Sequence, residues 1–155
     1  MNVRKILVPL DGSPLAEGIL PFLKKIAGPL DLDVTLLRVL VPVPPEVVEG
    51  TRHVIVEDVE KRTAEARAYL APIAAALEET GVHVTTEGRR GEPVDEILAG
   101  AKAAGADLIA MTTHGRSGLS RLLFGSVAEV VLRQTEIPVF MMRLTKKDVA
   151  AMVAA

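Results

Sequence analysis

Between Met111 and Val127 the chain places glycines at 115, 118 and 125, hydroxyls at Thr113, Ser117, Ser120 and Ser126, and cations at Arg116 and Arg121. Glycine lets backbone close on a ligand without a Cβ in the way. Gly125-Ser126 opens an apolar run that reads as a helix, where the first N–H groups are unpaired and the dipole is positive. The chemistry such a segment offers is phosphate binding. The same residues also have a plainer use, in which Gly115 and Gly118 turn the loop and Ser126 caps the helix. So many hydroxyls and guanidiniums in one loop exceed what a turn requires, which favours the phosphate reading.

Other polar residues are less decisive. Asp11 begins an Asp11-Gly12-Ser13-Pro14 turn that suits the start of a helix, and it is also placed to hydrogen-bond a ligand. His114 beside Gly115 reads as structural sooner than catalytic, and His53 and His83 have no partners at metal-ligand spacing. Arg89-Arg90 reads as a solvated turn, and Phe140, Met141 and Met142 as core or interface. The first strand is followed by Gly12 alone rather than G-x-G-x-x-G, and no Gly-Lys-Ser/Thr occurs anywhere, which disfavours hydride transfer and P-loop hydrolysis. A phosphoacceptor domain of similar build needs an acidic pair after strand one, where this chain has Asp11 only. No general base or γ-phosphate lysine is evident, so no catalytic residue is assigned and any hydrolysis is slow.

The elements that must position these groups follow from periodicity. Arg4 to Leu10 reads as a buried strand, and 14–27 as a helix with Leu15, Ile19, Phe22, Leu23 and Ile26 on one face. Asp33 to Val41 is a second strand, followed by Pro42-Val43-Pro44-Pro45 and then a long helix from about 54 to Thr80 that stops at Gly81. Val82 to Thr86 is a third strand. Gly91-Glu92-Pro93 opens a helix to Ala104, and Asp107 to Met111 is strand four. Thr112 to Phe124 reads as loop, Gly125 to Gln134 as a fourth helix, Ile137 to Met142 as strand five, and 145–155 as an alanine-rich tail outside a domain of residues 1–144. Apolar strands alternating with helices specify an α/β fold, a doubly wound parallel sheet covered on both faces. Ligands bind such sheets beyond the carboxyl ends of the strands, where the strand order reverses.

Composition sets the outer bounds. The chain's 155 residues suit one domain with one core. With no cysteine there are no disulfides or thiolate sites, and a cytoplasmic protein is expected. A formal charge of −2, three phenylalanines, one tyrosine and no tryptophan argue against a nucleic-acid surface. No stretch has the length of a membrane span, so no membrane partner is expected.

His114-Gly115, nine residues from Arg116 to Phe124, and then Gly125-Ser126 resemble the glycine pattern of the ATP-binding universal stress proteins, with Thr112 where that pattern has its first glycine. The resemblance runs from residue 3 to about 143. It includes Ile6-Leu7-Val8-Pro9-Leu10-Asp11-Gly12-Ser13, Gly91-Glu92-Pro93 and Ala106-Asp107-Leu108-Ile109. It implies five strands in the order 3-2-1-4-5, which brings Asp11 beside the glycine loop. It implies that Pro9, Asp11 and Val39 hold adenosine, and that Thr112, Thr113, His114, Gly115, Arg116 and Gly118 wrap ribose and phosphates. Gly125, Ser126 and Val127 would then bind the phosphates. The implied ligand is ATP, with ADP and AMP as alternatives and Mg2+ or Mn2+ carried by the phosphates.

The expected function is therefore a nucleotide-binding regulatory module of the stress response. A slow ATPase or phosphotransfer enzyme and a dimeric interaction protein without nucleotide are the alternatives. The partner that hears the signal leaves no mark in the sequence. Strand five, 137–142, is expected at the sheet edge, where a mostly apolar strand invites pairing with a second copy. Related proteins pair through this edge, which strengthens the expectation of a homodimer.

Overall fold

The computed structural model describes residues 2–47, 54–55, 57–114 and 124–154. Its centre is a five-stranded parallel sheet of β1 (Lys5–Pro9), β2 (Asp33–Leu40), β5 (His83–Arg90), β6 (Leu108–His114) and β7 (Val139–Leu144). The order is β5-β2-β1-β6-β7, which is 3-2-1-4-5 for the strands of this sheet, and the α/β fold is as expected. Its strands feed two cores. Ile6 and Val8 of β1 join Val34 and Leu36 beneath the first helices, while Leu7 packs with Leu37, Ile109 and Met111 on the other face. Both faces of β1 are thus apolar, as a central strand of a covered parallel sheet requires.

The first helix is two short ones, α1 (Pro14–Glu17) and α2 (Leu20–Ile26), rather than the single helix expected over 14–27. Pro21 in the first turn of α2 has no N–H to give the Glu17 carbonyl, so the hydrogen-bond ladder breaks there. Ser13 caps α1 by accepting from the Ala16 N–H at 3.2 Å. The long helix α3 (Val59–Glu78) begins later than expected, because the Asp58 carboxylate accepts the Lys61 N–H at 2.9 Å and sets the start. Between β2 and α3 lies a two-stranded antiparallel pair, β3 (Glu46–Val47) and β4 (Val54–Ile55), that periodicity did not announce.

Four further corrections concern the sheet and the tail. Strand β5 extends through Arg90 because it pairs with β2 along its full length, from Asp33 opposite His83 to Leu40 opposite Arg90. Arg89 and Arg90 are strand residues, not a turn. Strand β6 takes in Thr112, Thr113 and His114, which the sequence placed in a loop, since β7 pairs with all three. Strand β7 itself runs over Val139–Leu144 rather than 137–142, starting after Pro138, whose carbonyl accepts the Ile109 N–H at 2.9 Å.

The tail forms α6 (Lys146–Ala154). Its start is a reciprocal cap: the Thr145 N–H donates to the Asp148 carboxylate at 2.8 Å and the Asp148 N–H to the Thr145 hydroxyl at 3.2 Å. The remaining helices are α4 (Pro93–Ala103) and α5 (Phe124–Gln134). No helix among the described residues is long and apolar enough to cross a membrane.

Candidate functional site

At the carboxyl end of the sheet, β1 stands between β2 and β6, and the connections leave in opposite directions. A cleft of about 270 Å³ opens there. Its floor is Pro9 at the end of β1, Asp11 after it and Val39 of β2; one side is lined by Pro93 and Ile97 of α4 with Val127 of α5. The register explains the floor: Pro9 lies opposite Leu37 and the Leu10 N–H reaches the Leu37 carbonyl at 2.8 Å, so β1 ends while β2 continues to Leu40 and carries Val39 past the end of its neighbour. The volume is just below the roughly 300–1,000 Å³ usual for small-molecule sites, enough for a base and sugar but not for a whole nucleoside triphosphate.

Four residues singled out in the sequence, Pro9, Asp11, Val39 and Val127, thus line one cleft. Gly125 and Ser126 lie in the first turn of α5 immediately before Val127. That turn contains no acidic side chain, whereas the first turn of α4 carries Asp95 and Glu96. Of the two helix starts beside the cleft, α5 is the one with no acidic side chain in its first turn to compete with an anion.

Thr112 is 1 % exposed and its hydroxyl donates to the Leu15 carbonyl of α1 at 2.8 Å. Thr113 and His114 continue β6 opposite Arg143 and Leu144 of β7. Gly115, Arg116 and Gly118 lie outside the described residues. Asp11 does serve the turn the sequence suggested: its carboxylate accepts the Ser13 N–H at 2.8 Å. Gly12 between them has φ +84°, a conformation that favours glycine, and a Cβ there would face the Arg38 guanidinium at 3.5 Å.

Sequence reasoning missed a charged group at the mouth of the cleft. Arg62 of α3 is part of the lining, as are Arg38 and Val41. The Arg62 guanidinium donates to the Val41 carbonyl at 2.7 Å and pairs with Glu57. Glu57 in turn accepts from Arg90 at 2.8 Å and from the Val43 N–H at 3.1 Å. The hydrogen bond from Arg90, with those from Val43 and Arg62, pulls the Glu57 carboxyl down to about 2. Arg38 lies over the Tyr69 ring, 5.5 Å from its centre. No spacing rule joins residues 41, 57, 62 and 90; they meet because β5 pairs with β2 to its last residue. Among the described residues no cluster of three or more histidine, aspartate or glutamate side chains is arranged to hold a metal.

A doubly wound sheet with its cleft at the reversal point and a helix start free of acids beside it defines a class of ligand-binding α/β domains. The chain belongs to the universal stress protein family, whose sequence profile matches residues 2–143. It is 36 % identical over 148 residues to universal stress protein MJ0531 of Methanocaldococcus jannaschii, covering 94 % of this chain and 85 % of that protein. Universal stress protein Sll1388 of Synechocystis is 30 % identical over 155 residues, covering 92 % and 99 %. Among solved structures, that of M. jannaschii MJ0577 superposes with a TM-score of 0.70 at 27 % identity, covering 94 % of this chain and 99 % of the other. The Archaeoglobus fulgidus universal stress protein in complex with dAMP superposes with a TM-score of 0.63 at 23 % identity, covering 91 % and 98 %. A universal stress protein in complex with cAMP gives 0.67 at 19 %, covering 92 % and 98 %.

Proposed function

We propose that this protein is an ATP-binding regulatory module of the stress response, with ADP and AMP as alternative ligands of the same cleft. The observation that carries the reading is the convergence of Pro9, Asp11, Val39 and Val127 on one cleft beside the acid-free start of α5. Adenosine fills the cleft against Pro93, Ile97 and Val127, with Asp11 available to its hydroxyls. The phosphates run toward Gly125-Ser126 and the segment that contains Gly115, Arg116 and Gly118. Mg2+ or Mn2+ would be carried by the phosphates. Two proteins of this fold have been solved with dAMP and cAMP, which are adenine mononucleotides. They show what the fold has held elsewhere; the assignment to this chain rests on its own residues.

Binding is the reading preferred here and slow turnover its alternative, since the lining holds no lysine among the described residues. Hydrolysis, if measured, is slow. Calorimetric titration with ATP, ADP and AMP, each with Mg2+, tests the proposal: one site per chain is expected. Saturation at about a hundred times Kd adds roughly 2.7 kcal/mol, or about 5–10 °C of melting temperature for a domain this size. Absence of both heat and melting shift with all three nucleotides refutes it.

A homodimer through β7 is the second part of the proposal. Side chains of this strand are partly used within the chain: Val139 and Met141 pack on the α4–α5 core, and Phe140 stacks on Phe22 with ring centres 4.9 Å apart. What stays available is the backbone edge, since β7 ends the sheet. A second copy across a two-fold axis pairs that edge antiparallel and covers the half-exposed side chains.

A further inference from the structure

We propose that Arg62 is a base-positioning residue of the cleft and that Glu57 holds it in place. The inference rests on the nucleotide reading and deepens it at the base end. Arg62 lines the cleft from α3, which packs on one face of the sheet, whereas Pro93, Ile97 and Val127 line it from α4 and α5, which pack on the other. Among the described residues that line it none is aromatic. A flat heterocycle entering here therefore meets aliphatic carbon on one side, and the guanidinium is the broad planar group the mouth can set against the other. Guanidinium planes stack on bases as aromatic rings do, and an ammonium does not.

The second observation is the care with which that guanidinium is fixed. The Glu57 side chain is only 5 % exposed, and its two oxygens are divided: one takes Arg62, the other takes Arg90 at 2.8 Å and the Val43 N–H at 3.1 Å. Arg62 also holds the Val41 carbonyl, so the rim segment that follows Val39 is tied to the same cation. An arginine otherwise free to swing on its stem is anchored before a ligand arrives, and little rotamer freedom remains to be lost on binding. Arg38, the other guanidinium of the lining, is directed over the Tyr69 ring instead.

A tie between α3 and the rim that never meets ligand is the competing explanation, and the two separate by where on the nucleotide the loss falls. Binding of Mg-ATP and of Mg-tripolyphosphate, which has phosphates but no base, is measured for the parent, Arg62→Ala, Arg62→Lys and Glu57→Gln. Expected is a loss of ATP affinity of about ten- to a hundredfold in Arg62→Ala, the weight of one stacked base, with tripolyphosphate unchanged. Arg62→Lys loses nearly as much, because charge and stem remain but the plane is gone; Glu57→Gln loses a few-fold. Unaltered ATP affinity in Arg62→Ala overturns the proposal while leaving the nucleotide site standing. Equal losses for ATP and tripolyphosphate also overturn it, as a merely structural tie would act on both. If the alanine variant does not fold, the same ratio in Arg62→Lys decides. A parent that binds no nucleotide refutes the nucleotide reading, and this proposal falls with it.

Discussion

Thr112→Val removes one buried hydroxyl and little else. Valine keeps the branched shape that suits β6, so strand propensity is preserved. The lost interaction is the 2.8 Å hydrogen bond to the Leu15 carbonyl, made at a residue only 1 % exposed. How much that weighs depends on what the carbonyl keeps. Leu15 also accepts the Gly18 N–H at 3.1 Å, so after the substitution its oxygen still has a partner. The penalty is therefore the net worth of a neutral hydrogen bond, about 0.5–1.5 kcal/mol, and not the larger cost of an orphaned buried acceptor. For a domain of this length that lowers the melting temperature by about 1–6 °C. Because the hydroxyl is committed to α1, ATP affinity is expected to stay within about twofold, far below the tenfold that 1.4 kcal/mol represents. Thermal melting and titration calorimetry on the same preparation give both numbers. An unchanged melting temperature with a large loss of ATP affinity refutes the reasoning, since it means the hydroxyl meets the ligand and not Leu15.

Ser126→Asp is expected to abolish ATP binding while circular dichroism and melting stay near those of the parent, because an acid in the first turn of α5 suits the helix dipole but repels phosphate; retained ATP affinity would move the phosphates elsewhere. Sedimentation equilibrium from low to high micromolar concentration is expected to give the dimer mass, and a monomer throughout contradicts pairing through β7. The Glu57 carboxyl is depressed from its ordinary 4.5 to about 2, so its contribution to stability is complete above the ordinary value and fades as pH falls between those two values. The melting gap between the parent and Glu57→Gln should accordingly be constant from neutral pH to about 4.5 and close below it; a gap that persists to pH 2 shows the ion pairs add nothing.

Short apolar runs bounded by glycine and proline made the strands legible. Ile6-Leu7-Val8 is apolar on both faces and sits where such a run should, at the centre of a covered sheet. The helix starts at Pro14 and Pro93 were readable for the same reason, since each proline occupies a position where no N–H is needed. What was not legible depended on partners far away in the chain. Thr112 to His114 look like loop by composition and become strand because β7 supplies the ladder. Arg89 and Arg90 look solvated and become part of the sheet because β2 is long enough to pair with them. The tail's cap was present in the sequence as Thr145 and Asp148, three residues apart, a signal that alanine-rich composition obscured. At the site, the glycine pattern pointed to the α5 end of the cleft, whereas Arg62 has no local signature and is visible only once Glu57, Val41 and Arg90 have been brought together.

The position of β1 bears on how the chain is made. Of the sheet's strands it is made first, yet its neighbours are β2 and β6, and its entry is pinned by Asp107, whose carboxylate accepts the Arg4 and Lys5 N–H groups at 3.0 and 2.9 Å. Those contacts span 103 and 102 residues. At about 5–20 residues per second, roughly 5–20 s pass between the synthesis of the strand and that of its second neighbour. During that interval Ile6, Leu7 and Val8, all but inaccessible in the finished domain, present one open edge to whatever is nearby. The nascent domain thus carries a strand with four of its five residues destined for burial half-paired until β6 has been made, and that interval is when a holding chaperone would have most to protect.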